Sequence, residues 1–245
     1  MSIKDGSADP PIDDGSGYVI TEHDLRFLGI TDESLRNWRA GRVPLGLSEI
    51  SFKALKEGLW NALDRDNVDP LGVDINIKGS SVFFFSGEHK TLPWTRDDIE
   101  EQLYIHRGRI PEFKIGEVED KLRGQWTADK RPMRRPFDSM RVIGIARSGS
   151  DIDIELCSDA IAEKCAYIAQ RRRPEKFHDV SIDDQYNYID EKIVREAMPK
   201  LIEYQEEISQ DLDRDIYCVV FEKGGPPESD VRQAWRIHHH GSMTV

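Results

Sequence analysis

Ser150-Asp151-Ile152-Asp153-Ile154-Glu155 is the stretch on which the reading of this chain turns. Read as a β-strand, whose side chains alternate between faces, it puts Asp151, Asp153 and Glu155 on one side. Ile152, Ile154 and Leu156 fall on the other and enter a core. The acidic side holds two carboxylates about 6–7 Å apart along a rigid element. Such a pair repels itself unless a cation lies between. Hard divalent cations about 3.5–4 Å apart suit it, as two-metal phosphoryl chemistry requires. Taken alone, the run equally fits an edge strand with solvated acids.

Working outward, Val73, Ile75 and Ile77 alternate with Asp74, Asn76 and Lys78, which predicts a second strand ended by Gly79. Ser48 opens a helix, SEISFKALKEGLWNALDRD, with Ile50, Phe52, Leu55, Leu59, Trp60 and Leu63 at helical spacing. Residues 21 to 40 read as a short helical hairpin with Thr21 and Thr31 as caps. Residues 88 to 140 read as a polar, proline-bearing connection with one short helix at 95 to 105. The run from Met140 to Asp159 carries two strand-like pieces around Gly149. Ser158 or Asp159 caps a helix through about Arg171, and a long helix spans about 182 to 212. Asp215 to Glu222 is the last clear strand, and residues 231 to 237 add a short piece. Helices and strands in this order predict an α+β fold, an α/β sandwich of helices on a small mixed sheet. The organisation expected is a disordered tail at 1–17, a small helical segment at 18–46, a core at 47–222 with an insertion at about 88–140, and a tail at 223–245.

Composition narrows the function. The chain has 245 residues and a net charge of −12, a poor balance for tracking long nucleic acid. No apolar run is long enough for a membrane span. The first residues lack the apolar core of a signal peptide, so a cytoplasmic protein is expected. Cys157, Cys165 and Cys218 are too few and scattered for a disulfide framework or a zinc site. Residues 121 to 147 depart from the acidic background. Eight basic side chains there, Arg134 and Arg135 among them, face only Asp129 and Asp138. Such asymmetry points to an anion site, and a solvated basic loop is the plainer alternative. Three consecutive histidines at 238–240 read as a flexible tail. Arg171, Arg172 and Arg173 suit a helix end, and Phe83, Phe84 and Phe85 a core.

Lys78-Gly79-Ser80-Ser81 ends the first strand. Glycine there lets backbone N–H groups approach a phosphate, and a serine hydroxyl adds a donor, although a plain strand-ending turn has the same composition. Gly79-Ser80 with Ser150-Asp151-Ile152-Asp153 resembles the motif pair of the polymerase-beta-like nucleotidyltransferases, over about residues 47 to 222. In that family a Gly-Ser step opens a helix and a following strand bears Ser-Asp-x-Asp. The spacing departs from the family's roughly ten residues, since Ser80 and Asp151 stand 71 positions apart. A long insertion carrying the basic block therefore separates the motifs. RRPFDSM just before the acid strand resembles a feature of uncharacterised bacterial members.

The resemblance implies a metal-dependent nucleotidyltransferase. Asp151 and Asp153 would hold Mg²⁺ (or Mn²⁺), with Asp215 as third acid and Asp213 and Glu155 as rivals. Gly79, Ser80 and Ser150 would meet the nucleotide, and Arg134 and Arg135 could grip phosphate oxygens. The substrate would be an NTP or dNTP and the acceptor a hydroxyl. That acceptor is a small molecule, a protein, or another nucleotide, the last giving short oligonucleotide or cyclic signals in bacterial defence. The 23 residues after Glu222 disfavour the larger relatives that append a helical domain. The alternative is a non-catalytic nucleotide- or protein-binding module, antitoxin-like, on the same fold.

Overall fold

The computed structural model describes residues 10–172, 188–222, 224–225 and 235–237. In chain order their elements are α1 (Glu22–Phe27), α2 (Asp32–Arg39), α3 (Glu49–Arg65), β1 (Asp74–Lys78), α4 (Ser80–Phe83), α5 (Arg96–Arg107), α6 (Glu112–Gln125), α7 (Ser139–Val142), β2 (Ile152–Cys157), α8 (Asp159–Arg172), α9 (Glu191–Ala197), α10 (Pro199–Leu212), β3 (Ile216–Phe221) and β4 (Trp235–Ile237). The fold is α+β, helices with one small mixed sheet. It divides into two compact units. One holds residues up to Thr31 and Phe84–Arg147, the other Asp32–Phe83 and the chain from Ser148 onward.

The sheet belongs to the second unit and runs β3-β2-β1-β4. β1 is antiparallel to β2 and β4, and β2 is parallel to β3. A parallel pair needs a long crossover, and the segment carrying α8, α9 and α10 supplies it. Period-two alternation decides which face is covered. Ile75 and Ile77, Ile152, Ile154 and Leu156, Ile216 and Val220, and Ile237 join one core with Leu55, Leu59 and Leu63 of α3 and Leu201 and Ile202 of α10. Ser48 starts α3 through a capping box, its hydroxyl accepting from the Ser51 amide at 3.0 Å and its own amide donating to the Ser51 hydroxyl at 2.8 Å. Asp66, past the other end of α3, accepts from the amides of Lys200 and Leu201 and so caps α10.

Four expectations are corrected. Ile50 is 83 % exposed, because five residues from Leu55 is not a whole number of helical turns. The single helix expected to about Leu212 is two, α9 and α10. Pro199 has no N–H and drives Met198 out of the helical region, to φ −128° and ψ 58°. Residues 182–187 of that expected helix lie outside the described residues. β4 pairs with β1 inside what was read as a C-terminal tail. The first strand-like run, before Gly149, contains α7 and turns, since Met140 and Ile143 are placed by helical spacing into a different core.

That core belongs to the first unit. Leu92, Ile99, Leu103, Ile115, Val118, Leu122, Trp126, Met140, Ile143 and Ile145 pack together, with Tyr18, Phe27 and Trp94 against them. The expected connection at 88–140 is therefore a folded element with α5, α6 and α7. Thr95 caps α5 as a capping box and Gly108 ends it in the left-handed conformation. The helical segment read at 18–46 is divided, α1 falling in this unit and α2 in the other. Residues 10–17, read as a disordered tail, bury Ile12 and Asp14, and Asp13 bridges to Val19. Phe84 and Phe85 are buried, as expected. Phe84 takes φ +69°, a strained conformation for a bulky residue.

Asp24 organises this unit. Its carboxylate accepts from Trp126 Nε1 at 2.8 Å, Gln125 Nε2 at 2.7 Å, the Tyr18 hydroxyl at 2.8 Å and the Thr21 amide at 2.8 Å. Burial alone would raise this carboxyl, but together the bonds from Thr21, Gln125 and Tyr18 outweigh it and hold the group below its ordinary value. Replacing Asp24 by Ala should destabilise this unit by about 3 kcal/mol or more, because buried donors left unpaired cost about 1–3 kcal/mol each. A depressed carboxylate contributes stability that is complete above the unfolded-state value and is lost as pH falls through the folded one. Urea unfolding followed by tryptophan fluorescence should therefore show unit stability falling below about pH 4 in the unmodified chain. In Asp24→Ala that acid-dependent loss should be smaller. An equal pH dependence in both would remove Asp24 from this role.

Candidate active site

The uncovered face of the sheet is polar by construction. Lys78 pairs with Asp153, Asn76 with Glu155 and Asp153 with Tyr217 across the strands, so these side chains share the face opposite the core. Asp151 and Asp215 each stand one residue before the register pair Ile152–Ile216, and the Ile152 amide donates to the Asp215 carbonyl at 2.9 Å. Asp151 and Asp153 are half-buried, and Asp215 is exposed. Tyr217 reports their common neighbourhood. Its phenol is pushed above the ordinary value first by burial, then by the charges of Asp215, Asp151 and Asp153.

The Gly-Ser step meets this acid face despite the distance in sequence. Gly79 follows β1 at φ +83°, a conformation that favours glycine, and a Cβ there would lie 2.8 Å from Asp153 Oδ2. The main chain of Gly79 thus passes directly beside the Asp153 carboxylate. Ser80 opens α4 and is buried.

The rivals for third acid are placed differently. Glu155 Oε1 lies 2.7 Å from Lys78 Nζ, and both side chains are largely buried, so Glu155 is already paired with a cation. Asp213 is the left-handed cap that ends α10, at φ +49°, and its carbonyl accepts from the Gly149 amide at 3.2 Å. Asp215 alone of the three combines exposure with a position abreast of Asp151. Among the described residues no group of three or more His, Cys, Asp or Glu side chains is gathered closely enough to hold a metal ion. Mg²⁺ does not need one. It is commonly bound by one or two carboxylates, with substrate phosphates and waters completing its shell, and the oxygen donors of Asp151 and Asp153 match it.

Arg134 and Arg135 belong to the first unit. Arg134 Nε donates to the Ser86 carbonyl at 2.9 Å, and the Arg135 main chain bonds with Ser86 and Lys90. Both are half-buried in an ordered segment rather than carried on a solvated loop. His238, His239, His240 and Arg173 lie outside the described residues. Burial raises the thiols of Cys157 to about 11 and of Cys165 and Cys218 to about 12, as expected of core cysteines.

Two features escaped the sequence reading. Tyr217 was legible, since period-two alternation along β3 puts it on the Asp215 face. Arg214 was not. Its buried guanidinium donates from Nη1 to the Ser150 carbonyl at 3.0 Å and lies against Gly46 and Gly149. Those neighbours come from two distant segments, and no local pattern marks them. Comparison with protein families, curated proteins and solved structures finds no match to this chain. Among the described residues no helix is long and apolar enough to cross a membrane.

Proposed function

We propose that the chain is a nucleotidyltransferase. It moves a nucleoside monophosphate from an NTP or dNTP to a hydroxyl acceptor. The observation that supports this best is the approach of Gly79 to Asp153 Oδ2, which joins two motifs 71 positions apart on one face of one sheet. Asp151 and Asp153, with Asp215 beside them, are the residues that would hold Mg²⁺ or Mn²⁺. When bound, the cation neutralises triphosphate charge and lowers the pKa of the acceptor hydroxyl. The Gly79 main chain and the Ser80 hydroxyl face the β- and γ-phosphates, and Ser150 lies at the entry to the acid strand. The acceptor oxygen bonds to the α-phosphorus as the bond to pyrophosphate breaks, and the hydroxyl proton leaves to solvent. The chain's contribution is positioning and charge placement. Tyr217, with its phenol kept protonated, offers a donor beside the same carboxylates. A part for Arg134 and Arg135 in gripping phosphate rests on charge and guanidinium geometry alone.

The test is incubation with each labelled NTP and dNTP plus Mg²⁺ or Mn²⁺, reading pyrophosphate release and product size. One-nucleotide adducts indicate transfer to a small molecule or protein. Ladders or cyclic products indicate a nucleotide acceptor and a signalling role, as in bacterial defence. Silence with every nucleotide and a range of acceptors would sink the transferase reading in favour of a nucleotide- or protein-binding module.

A further inference from the structure

Three cross-links in succession tie the segment entering β2 to the segment entering β3. The Gly149 amide donates to the Asp213 carbonyl at 3.2 Å, Arg214 Nη1 donates to the Ser150 carbonyl at 3.0 Å, and the Ile152 amide donates to the Asp215 carbonyl at 2.9 Å. The middle one is made by a side chain. Arg214 immediately precedes Asp215, and the carbonyl it holds immediately precedes Asp151. Arg214 as a whole is buried, at 6 % exposure. Burying a guanidinium is costly unless it is well bonded and closely packed. Both adjoining surfaces are shaped for it. Gly46 approaches so closely that a Cβ would lie 2.6 Å from Arg214 Cζ, and a Cβ on Gly149 would overlap Nη1. Glycine at 46, at φ +83°, and at 149 leaves the volume that the guanidinium fills.

We propose that Arg214 is the positioning residue of the acid site. By holding the Ser150 carbonyl from the residue next to Asp215, it sets the spacing of Asp151 and Asp215 and so the affinity of this face for a divalent cation. The fixed positive charge also lies between the segments that carry Asp151 and Asp215, which offsets the mutual repulsion of the two carboxylates. A lysine does not replace it, because a single ammonium lacks the planar fork that fits between two glycine backbones. This inference rests on the metal-dependent reading of the site.

The experiment measures Mn²⁺ binding to the full chain by calorimetry and by the paramagnetic resonance signal of free Mn²⁺, alongside thermal unfolding. Expected are saturable binding by the unmodified chain, loss of binding in Asp151→Asn/Asp153→Asn, and affinity at least tenfold weaker in Arg214→Met, as when a group supporting a metal ligand is removed. Arg214→Lys keeps the charge and serves if Arg214→Met fails to fold. It should still bind several-fold more weakly. A merely structural arginine would lower the melting temperature and leave the Mn²⁺ dissociation constant unchanged. That result in a folded variant overturns this inference alone. Absence of Mn²⁺ binding by the unmodified chain overturns the metal reading and this inference together.

Discussion

Asp151→Asn combined with Asp153→Asn should abolish nucleotidyl transfer, by at least about a thousandfold or ~4 kcal/mol in the barrier, while the melting temperature stays level or rises. The two halves of this expectation come from the two faces of β2. Ile152, Ile154 and Leu156 carry the packing and are untouched by the change. Asp151 and Asp153 lie on the open face, with Asp215 nearby and the Tyr217 phenol raised partly by their charges. Like charges gathered on one face repel, so neutralising two of them relieves that repulsion in the folded state. Glu155 supplies the control. It stands on the same face but is paired with Lys78 at 2.7 Å in largely buried surroundings. Glu155→Gln leaves that lysine without its counter-charge and should lower stability. Opposite signs of the stability change at neighbouring positions of one strand separate a site built for an external cation from an ordinary structural ion pair. Transfer at the unmodified rate in the Asp151/Asp153 double variant would remove the acid pair from the chemistry.

How far the sequence disclosed this arrangement depends on the range of the interactions. The strands were legible because burial on one face imposes a period of two, visible in Val73 to Lys78 and Ser150 to Glu155. The start of α3 was legible because Ser48 and Ser51 satisfy each other's main chain locally. The first unit was legible only in its Thr21 cap and its short helix near 95–105, which the structure has as α1 and α5, and not in α6 or in its core. Ile115, Val118 and Leu122 do stand at helical spacing, but charged residues crowd around them, and their packing partners at 92–103 and 140–145 are remote. The break at Met198 was available from Pro199 alone. In the site, alternation gave the shared face of Asp151 and Asp153. The approach of Gly79 to Asp153 could only be expected through the family resemblance, because the 73 positions between them carry no local signal of it. Arg214 joins segments around positions 46, 149 and 214, so only the fold reveals it.

Gly79→Val should be the most damaging single change outside the acid pair, and Gly79→Ala should already lower kcat/KM by about a hundredfold, ~3 kcal/mol. Two physical effects combine. At φ +83° any L side chain is strained, by about 1–3 kcal/mol, and most so when branched at Cβ. Independently, the new Cβ would stand 2.8 Å from Asp153 Oδ2, so the carboxylate must move off the position its strand gives it. Neither the main-chain surface proposed to meet the phosphates nor Asp153 then keeps its place, so KM should rise and kcat should fall together. Ser80→Ala, which removes a hydroxyl and leaves the backbone intact, should cost only about 1–2 kcal/mol, one lost hydrogen bond. The two causes are separable by a stability cycle that needs no substrate. Asp153→Ala removes the oxygen that the new methyl group would strike, so Gly79→Ala in that background should retain the backbone strain and lose the collision. Urea unfolding of the four proteins should then give a coupling energy of about 0.5–3 kcal/mol between positions 79 and 153, the range for side chains in direct contact. Strict additivity, with all four proteins folded, would mean that the Gly-Ser step and the acid strand do not touch.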